Sequence, residues 1–258
     1  MTTTKKNPRP IALVTGGSRG LGKSMALHLA PRGVDVVITF REKEAEAAAV
    51  VRALTEAGAK AAALRLDVSD ARTFDAFAAA LADRLGATFG AERFDSLVNN
   101  AGGALHAAFA DTTEAQFDAV MNAHLKGPFF LTQKLLPLLA DGGRIVNVSS
   151  GLARFSFPGS SAYGTMKGGV EVLTRYLAKE LAPRGITANV IAPGAIETDF
   201  GGGRVRDDRD MNRMIASQTA LGRVGLPDDI GAAVAMLLSP DAGWITGQRI
   251  EASGGMLL

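Results

Sequence analysis

Ile11-Ala12-Leu13-Val14-Thr15-Gly16-Gly17-Ser18-Arg19-Gly20-Leu21-Gly22 is the stretch from which the rest of the chain is read. Four apolar residues in a row predict a buried strand, and the glycines behind them predict a tight turn. Leu21, Met25, Leu27 and Leu29 then follow a helical pattern until Pro31-Arg32-Gly33 stops it. A strand, a glycine-rich turn and a helix start make a phosphate site, because free backbone N–H groups and the helix dipole point at one anion. The spacing G-x-x-x-G-x-G is a variant of the dinucleotide fingerprint.

Outward from this unit, strand and helix patterns alternate along the whole chain. Strands are expected at 34–39, 61–66, 96–98, 144–148, 187–191 and 248–251, with helices at 45–57, from Asp67 to Leu85, at 163–182 and at 227–238. That alternation implies an α/β fold: a single Rossmann-type domain over 11–258 with one doubly wound parallel sheet and right-handed crossovers. Residues 1–10 read as a disordered, polar and basic lead-in, and 86–93 as a loop. Thr113-Glu114-Ala115-Gln116 fits a capping box. The helix it opens is expected to reach Leu139, to kink at Gly127-Pro128 and, being apolar nearly all round, to be buried against the sheet, a partner subunit or both. The Gly-, Arg- and Asp-rich run after Phe200 lacks periodicity and is expected to form a substrate lid around 200–215.

Composition narrows the function classes. A chain of 258 residues fits one larger α/β domain. With no cysteine there is no disulfide, thiolate metal site or cysteine nucleophile. The three histidines, His28, His106 and His124, stand in unrelated segments and suggest no metal site. A net charge of +2 from dispersed residues gives no nucleic-acid footprint. No apolar run is long enough to span a bilayer. The expectation is a cytoplasmic protein with no membrane partner and no bound metal.

Ser149-Ser150 precedes Tyr163 by thirteen residues counted from Ser150, and Lys167 follows four later. On a helix, Tyr163 and Lys167 share a face. An ammonium beside a phenol favours the phenolate and lowers its pKa, as a proton donor working near neutral pH requires. Ser150 can offer a hydroxyl to the same oxygen, which suits carbonyl reduction or its reverse. At the end of the second strand, where an acid would bind the ribose of NAD, stands Phe40, followed by Arg41. Arg41 and Arg19 together suit a 2′-phosphate, so NADP(H) is expected over NAD(H), with Lys43 as a third cation. Asp67 stands where a carboxylate could meet the adenine amino group.

These residues resemble the short-chain dehydrogenase/reductase family. Thr15-Gly16-x-x-x-Gly20-x-Gly22, Asn99-Asn100-Ala101-Gly102, Ser150 with Tyr163-x-x-x-Lys167, and Pro193-Gly194-x-Ile196-x-Thr198 occur in the family's order, across about residues 9 to 255. The resemblance implies an NADPH-dependent reductase of a ketone, such as a 3-oxoacyl thioester. An alcohol or sugar dehydrogenase and a cofactor-binding sensor are the alternatives. It assigns Tyr163 as general acid, Lys167 to tune it and hold the nicotinamide ribose, and Ser150 to polarise the carbonyl. Thr15, Gly16, Ser18, Arg19, Gly20, Leu21 and Gly22 would hold the phosphates, Asp67 and Val68 the adenine, and Asn99 the adenosine-side ribose. Ala101 and Gly102 would meet the middle of the cofactor, with Pro193, Gly194, Ile196 and Thr198 at the nicotinamide end. One position departs: where relatives carry an asparagine before Leu125-Lys126-Gly127, this chain has His124, expected to replace it by hydrogen bonding or proton relay near neutral pH. Phe155 and Phe157 suggest an apolar pocket wall, and Arg154 or Arg204 a contact for an anionic tail. A homotetramer, or a dimer, is expected through helices around Leu135 and Val172, the last strand and the Met256-Leu257-Leu258 end.

Overall fold

The structure, a computed structural model, describes residues 9–258. All but the last two residues of the expected lead-in lie outside the described residues. Arg9 is not loose: its guanidinium donates to the carbonyls of Gly33 and Gly58 at 3.1 and 2.7 Å and pairs with Asp35 at 3.3 Å.

Seven parallel strands form one sheet. In chain order the elements are β1 (Ile11–Val14), α1 (Gly20–Leu29), β2 (Asp35–Phe40), α2 (Glu44–Glu56), β3 (Ala61–Arg65), α3 (Phe74–Arg84) and β4 (Phe94–Asn99). They continue as α4 (Glu114–Met121), α5 (Gly127–Leu135), β5 (Leu139–Val148), α6 (Ser161–Glu180), β6 (Thr187–Pro193), α7 (Arg204–Asp207), α8 (Arg209–Ser217), α9 (Pro227–Leu237) and β7 (Arg249–Ala252). The spatial order is β3-β2-β1-β4-β5-β6-β7. Helices cover both faces, so the central strands are apolar throughout instead of alternating. One face packs Phe74, Leu81, Leu131 and Leu135 over Leu13 and Leu97; the other packs Met25, Leu29, Val50 and Val234 over Val14 and Val98. The order reverses between β1 and β4, which opens a crevice at the strand C-termini.

Three expectations change. Asp67 does not open a helix: a short turn at Ala71–Thr73, capped by Asp70, precedes α3, and a wide π-helical turn, Leu85–Phe89, occupies the expected loop. The capping box at Thr113 and Gln116 is present, but the long helix breaks one turn before the proline, in a π-helical turn at Asn122–Lys126. Pro128 sits in the first turn of α5, where a missing N–H costs nothing. Four residues back, the carbonyl it cannot bond belongs to His124. Finally α5 ends at Leu135, and the strand expected from 144 begins at Leu139.

After β6 the chain passes Gly201, Gly202 and Gly203, with φ of 62°, 76° and 77°, a left-handed run that side chains resist. Beyond it the expected lid is helical, formed by α7 and α8. Among the described residues no helix is long and apolar enough to cross a membrane, and no cluster of His, Asp or Glu could hold a metal.

Candidate active site

Tyr163 and Lys167 occupy the first two turns of α6, and both are buried. The Lys167 ammonium donates at 2.7 Å to the carbonyl of Val148, the last residue of β5, and stands 5.5 Å from the Tyr163 ring centroid. Burial pushes the lysine down to about 7. Burial also pushes the Tyr163 phenol above its ordinary value, against the opposing pull of its hydrogen bond with Ser150. The expected lowering by Lys167 is therefore not what this arrangement gives, because desolvation of the phenolate outweighs a lysine that is itself half-neutralised by burial. The phenol is firmly protonated.

His124 lies in the π-helical turn, 3% exposed, with its ring edge-on to Tyr163 at 5.1 Å. Its Nε2 lies 2.7 Å from the Gly103 carbonyl and 3.3 Å from the Gly103 N–H; the shorter contact assigns the proton to Nε2, with Nδ1 a buried acceptor without a partner. Burial, then the nearby Lys167 charge, push the imidazole down to about 3. A ring held neutral in this way disfavours the expected proton relay near neutral pH, and its contacts lie between the 99–103 turn and Tyr163. A Cβ on Gly102 would stand 2.2 Å from His124 Cε1, so this ring requires glycine there.

Behind the serines lies a charged network that sequence reasoning missed. Ser149 Oγ donates to Glu171 at 2.7 Å, and Arg249 donates to Glu171 and Glu251 at 2.7 and 2.8 Å. Arg249 also reaches the Ser150 carbonyl at 3.4 Å. The available signal was a glutamate and an arginine inside otherwise packed elements, α6 and β7.

A cavity of about 790 Å³ runs along the strand C-termini to Tyr163 and on to Arg204, Met211 and Ile215 of α7 and α8. Its wall includes Gly16, Ser18, Arg19, Gly20, Leu21, Arg41, Lys43, Asp67, Val68, Ala101, Gly102, Pro193, Gly194, Ile196 and Thr198, together with Ser150, Tyr163, Lys167 and His124. Three expected contacts are not on the wall. Asn99 turns its amide into the core, donating to Thr132 and Asn147 at 3.0 and 2.8 Å; the cavity residue is Asn100, which donates to the Thr15 carbonyl. Thr15 is a staple, its Oγ1 accepting from the N–H groups of Asn100 and Ala101 at 2.9 and 3.0 Å. Gly22 packs α1 onto the turn, where a Cβ would meet the Gly16 carbonyl oxygen at 2.3 Å.

The cavity fits a dinucleotide phosphate. Arg19 and Arg41 are more than half exposed and only loosely engaged, with Asp199 at 3.7 Å and Glu42 at 3.1 Å. Phe40 ends β2 where an acid would have opposed a 2′-phosphate. Other expectations shift. Arg154 faces no ligand: it donates to Glu251 and to the Met256 and Leu257 carbonyls. Leu135 is buried in the chain's own core, and Met256 is buried on the cavity wall, while Val172 and Leu258 are exposed.

A doubly wound sheet whose switch-point cleft ends on a serine, a protonated tyrosine and a buried lysine defines a dinucleotide-dependent oxidoreductase. Residues 16–257 match the family model described as enoyl-(acyl carrier protein) reductase. An uncharacterized oxidoreductase of Methylorubrum extorquens is 39% identical over 95% of this chain and 97% of its own length. The 3-oxoacyl-[acyl-carrier-protein] reductase FabG of Staphylococcus aureus is 36% identical, covering 96% and 98%. The crystal structure of the angucycline C-6 ketoreductase LanV with bound NADP superposes with a TM-score of 0.91 at 35% identity, covering 96% and 95%. The chain belongs to the short-chain dehydrogenase/reductase family.

Proposed function

We propose that the protein reduces a ketone with NADPH, and that Tyr163 supplies the proton. The observation that carries this reading is the pairing of a protonated phenol and a serine hydroxyl at one end of the cleft with two loosely held arginines at the other. Bound NADPH supplies the hydride. The backbone of the Gly16–Leu21 turn and the start of α1 suit the pyrophosphate, and Arg19, Arg41 and Lys43 the 2′-phosphate. Asp67 and Val68 suit the adenine; Asp67 keeps one oxygen for it, the other accepting from Ser69 N and Oγ at 2.9 and 2.6 Å. Ala101, Gly102, Pro193, Gly194, Ile196 and Thr198 suit the nicotinamide half.

The Ser150 and Tyr163 hydroxyls grip the substrate oxygen from two sides. As negative charge grows there, Tyr163 gives up its proton and Lys167, when charged, stabilises the phenolate left behind. Reduction is the direction favoured, since a protonated phenol is the form at rest. FabG and LanV, by their names, act on ketones of different kinds, and ketone reduction is what they share. Exposed Phe129, Phe130, Val172 and Tyr176 on α5 and α6, with Trp244 and Leu258 near β7, support a homotetramer, which sedimentation would show as a mass four times that of the 26.8 kDa chain.

The test is NADPH oxidation with a panel of ketones. Turnover is expected with NADPH over NADH, lost in Tyr163→Phe, with Arg41→Ala raising the KM for NADPH alone. Cofactor binding without reduction of any ketone, or full activity in Tyr163→Phe, would overturn the proposal.

A further inference from the structure

Resting on the ketone-reductase reading, we infer that the substrate ketone belongs to a flat, fused aromatic ring system and is not the end of a flexible acyl thioester. The cavity changes character at Tyr163. Its cofactor half carries Arg19, Arg41, Glu42, Lys43 and Asp67, and Asp199, which pairs with Arg19. In the other half Arg204 is the only Asp, Glu, Lys or Arg on the wall among the described residues.

Aromatic rings line this half instead. Phe155 lies on Gly151, its Cζ 2.5 Å from where a Cβ would stand, which places the ring one residue from Ser150. Phe157 packs edge-on against it at 5.6 Å and 69°. Across the opening, Phe200 leans on Tyr163 at 5.9 Å and 56°. His106 adds an imidazole to the same wall. These rings come from three separate segments of the same wall, with Phe200 against Tyr163 and Phe155 against the residue after Ser150. Phe157 and Phe200 remain 37% and 48% exposed, an apolar opening that a ligand would cover.

With the carbonyl oxygen held by Ser150 and Tyr163, the carbons attached to it must run between these rings. A planar ring conjugated with the ketone presents faces and edges to them, the geometry aromatic pairs prefer. Four aromatic side chains offer more surface than one six-membered ring covers, which favours fused rings. A thioester arm would instead bring amides and a phosphate into a wall with few free donors. The nearby arginines are engaged: Arg154 by Glu251, Arg206 by Asp199 and Asp207, Arg213 by Asp210. Arg204 makes no ion pair among the described residues and suits a phenolic oxygen on the outer edge of the ring system.

The experiment compares kcat/KM for 1-tetralone, a hydroxylated tetralone, cyclohexanone and the N-acetylcysteamine thioester of acetoacetate, all with NADPH. The bicyclic ketones should exceed both others at least tenfold, and 2-naphthol should inhibit competitively against the ketone. Phe155→Leu and Phe200→Leu should lower the tetralone value about tenfold more than the cyclohexanone value, and Arg204→Ala should erase the advantage of the hydroxyl group. A thioester preferred over tetralone, or phenylalanine variants that lower every ketone equally, would overturn the inference while leaving ketone reduction standing. No consumption of NADPH with any ketone would instead overturn the reading beneath it. The panel and the naphthol inhibition use the unaltered protein, so they decide the matter even where a variant does not fold.

Discussion

Replacing His124 with alanine separates a structural prop from a proton carrier. The ring is 3% exposed, donates to the Gly103 carbonyl at 2.7 Å and meets the edge of Tyr163 at 5.1 Å. Leaving that carbonyl unpaired costs about 1–3 kcal/mol, and losing the ring pair costs about 0.5–1.5 kcal/mol more. The unpartnered Nδ1 leaves with the ring, which returns roughly 1 kcal/mol of desolvation. The net loss is about 2 kcal/mol, which for a chain of this size lowers the thermal midpoint by about 4–8 °C. Turnover should fall because Tyr163 loses its lateral support. Its pH profile should not move, because a group held at about 3 is neutral throughout the assay range. Scanning calorimetry and pH–rate profiles of wild type, His124→Ala and His124→Asn measure both effects, with asparagine recovering part of the loss. An unchanged midpoint, or a displaced pH limb in the alanine variant, would refute the reasoning.

Four further outcomes follow from the site. Lys167, held at about 7, loses its charge as pH rises through that value, so kcat/KM for reduction should decline there, and Lys167→Arg should lack that limb. Because its folded value lies below the unfolded one, the unfolded chain binds more protons between about 7 and 10.5, so this lysine makes stability rise with pH across that window, measurable as a higher midpoint at the alkaline end. Gly102→Ala would drive a Cβ to 2.2 Å from His124 Cε1 and should cost about 1–3 kcal/mol by overpacking, read as a lower midpoint and weaker cofactor binding by fluorescence titration. Glu171→Gln strips the charge facing Arg249, which keeps Glu251, so stability should drop by about 1–2 kcal/mol; kcat should fall several-fold with the KM for NADPH unmoved, as steady-state kinetics would show.

Most of the fold was legible because its signals are local. The apolar run at Ile11–Val14, the glycine turn behind it and the capping box at Thr113 each declare themselves within a few residues. Tyr163 and Lys167 were legible for the same reason, being one helical turn apart. Phase was not. A strand buried on both faces gives no alternation, so nothing in Asn99-Asn100 says which amide turns inward to Thr132 and which meets the cavity. Long-range partners were equally hidden: Arg154 pairs with a glutamate 97 residues away, and only the folded chain shows it to be engaged. The proton affinities of Tyr163 and His124 belong to this class too, because burial is set by the packing of several elements at once.

The three left-handed glycines after Phe200 divide the work between separate stretches of chain. On the proposed reading, proton delivery falls to Ser150, just past β5, and to Tyr163 on α6, while Arg204, Val205, Met211, Met214 and Ile215 form the facing part of the wall from beyond the joint. A combinatorial library confined to residues 204–217 would therefore vary what the pocket admits without touching the machinery that reduces it. For a laboratory seeking new stereoselective catalysts, that short interval is the place to diversify, with the glycine joint left intact.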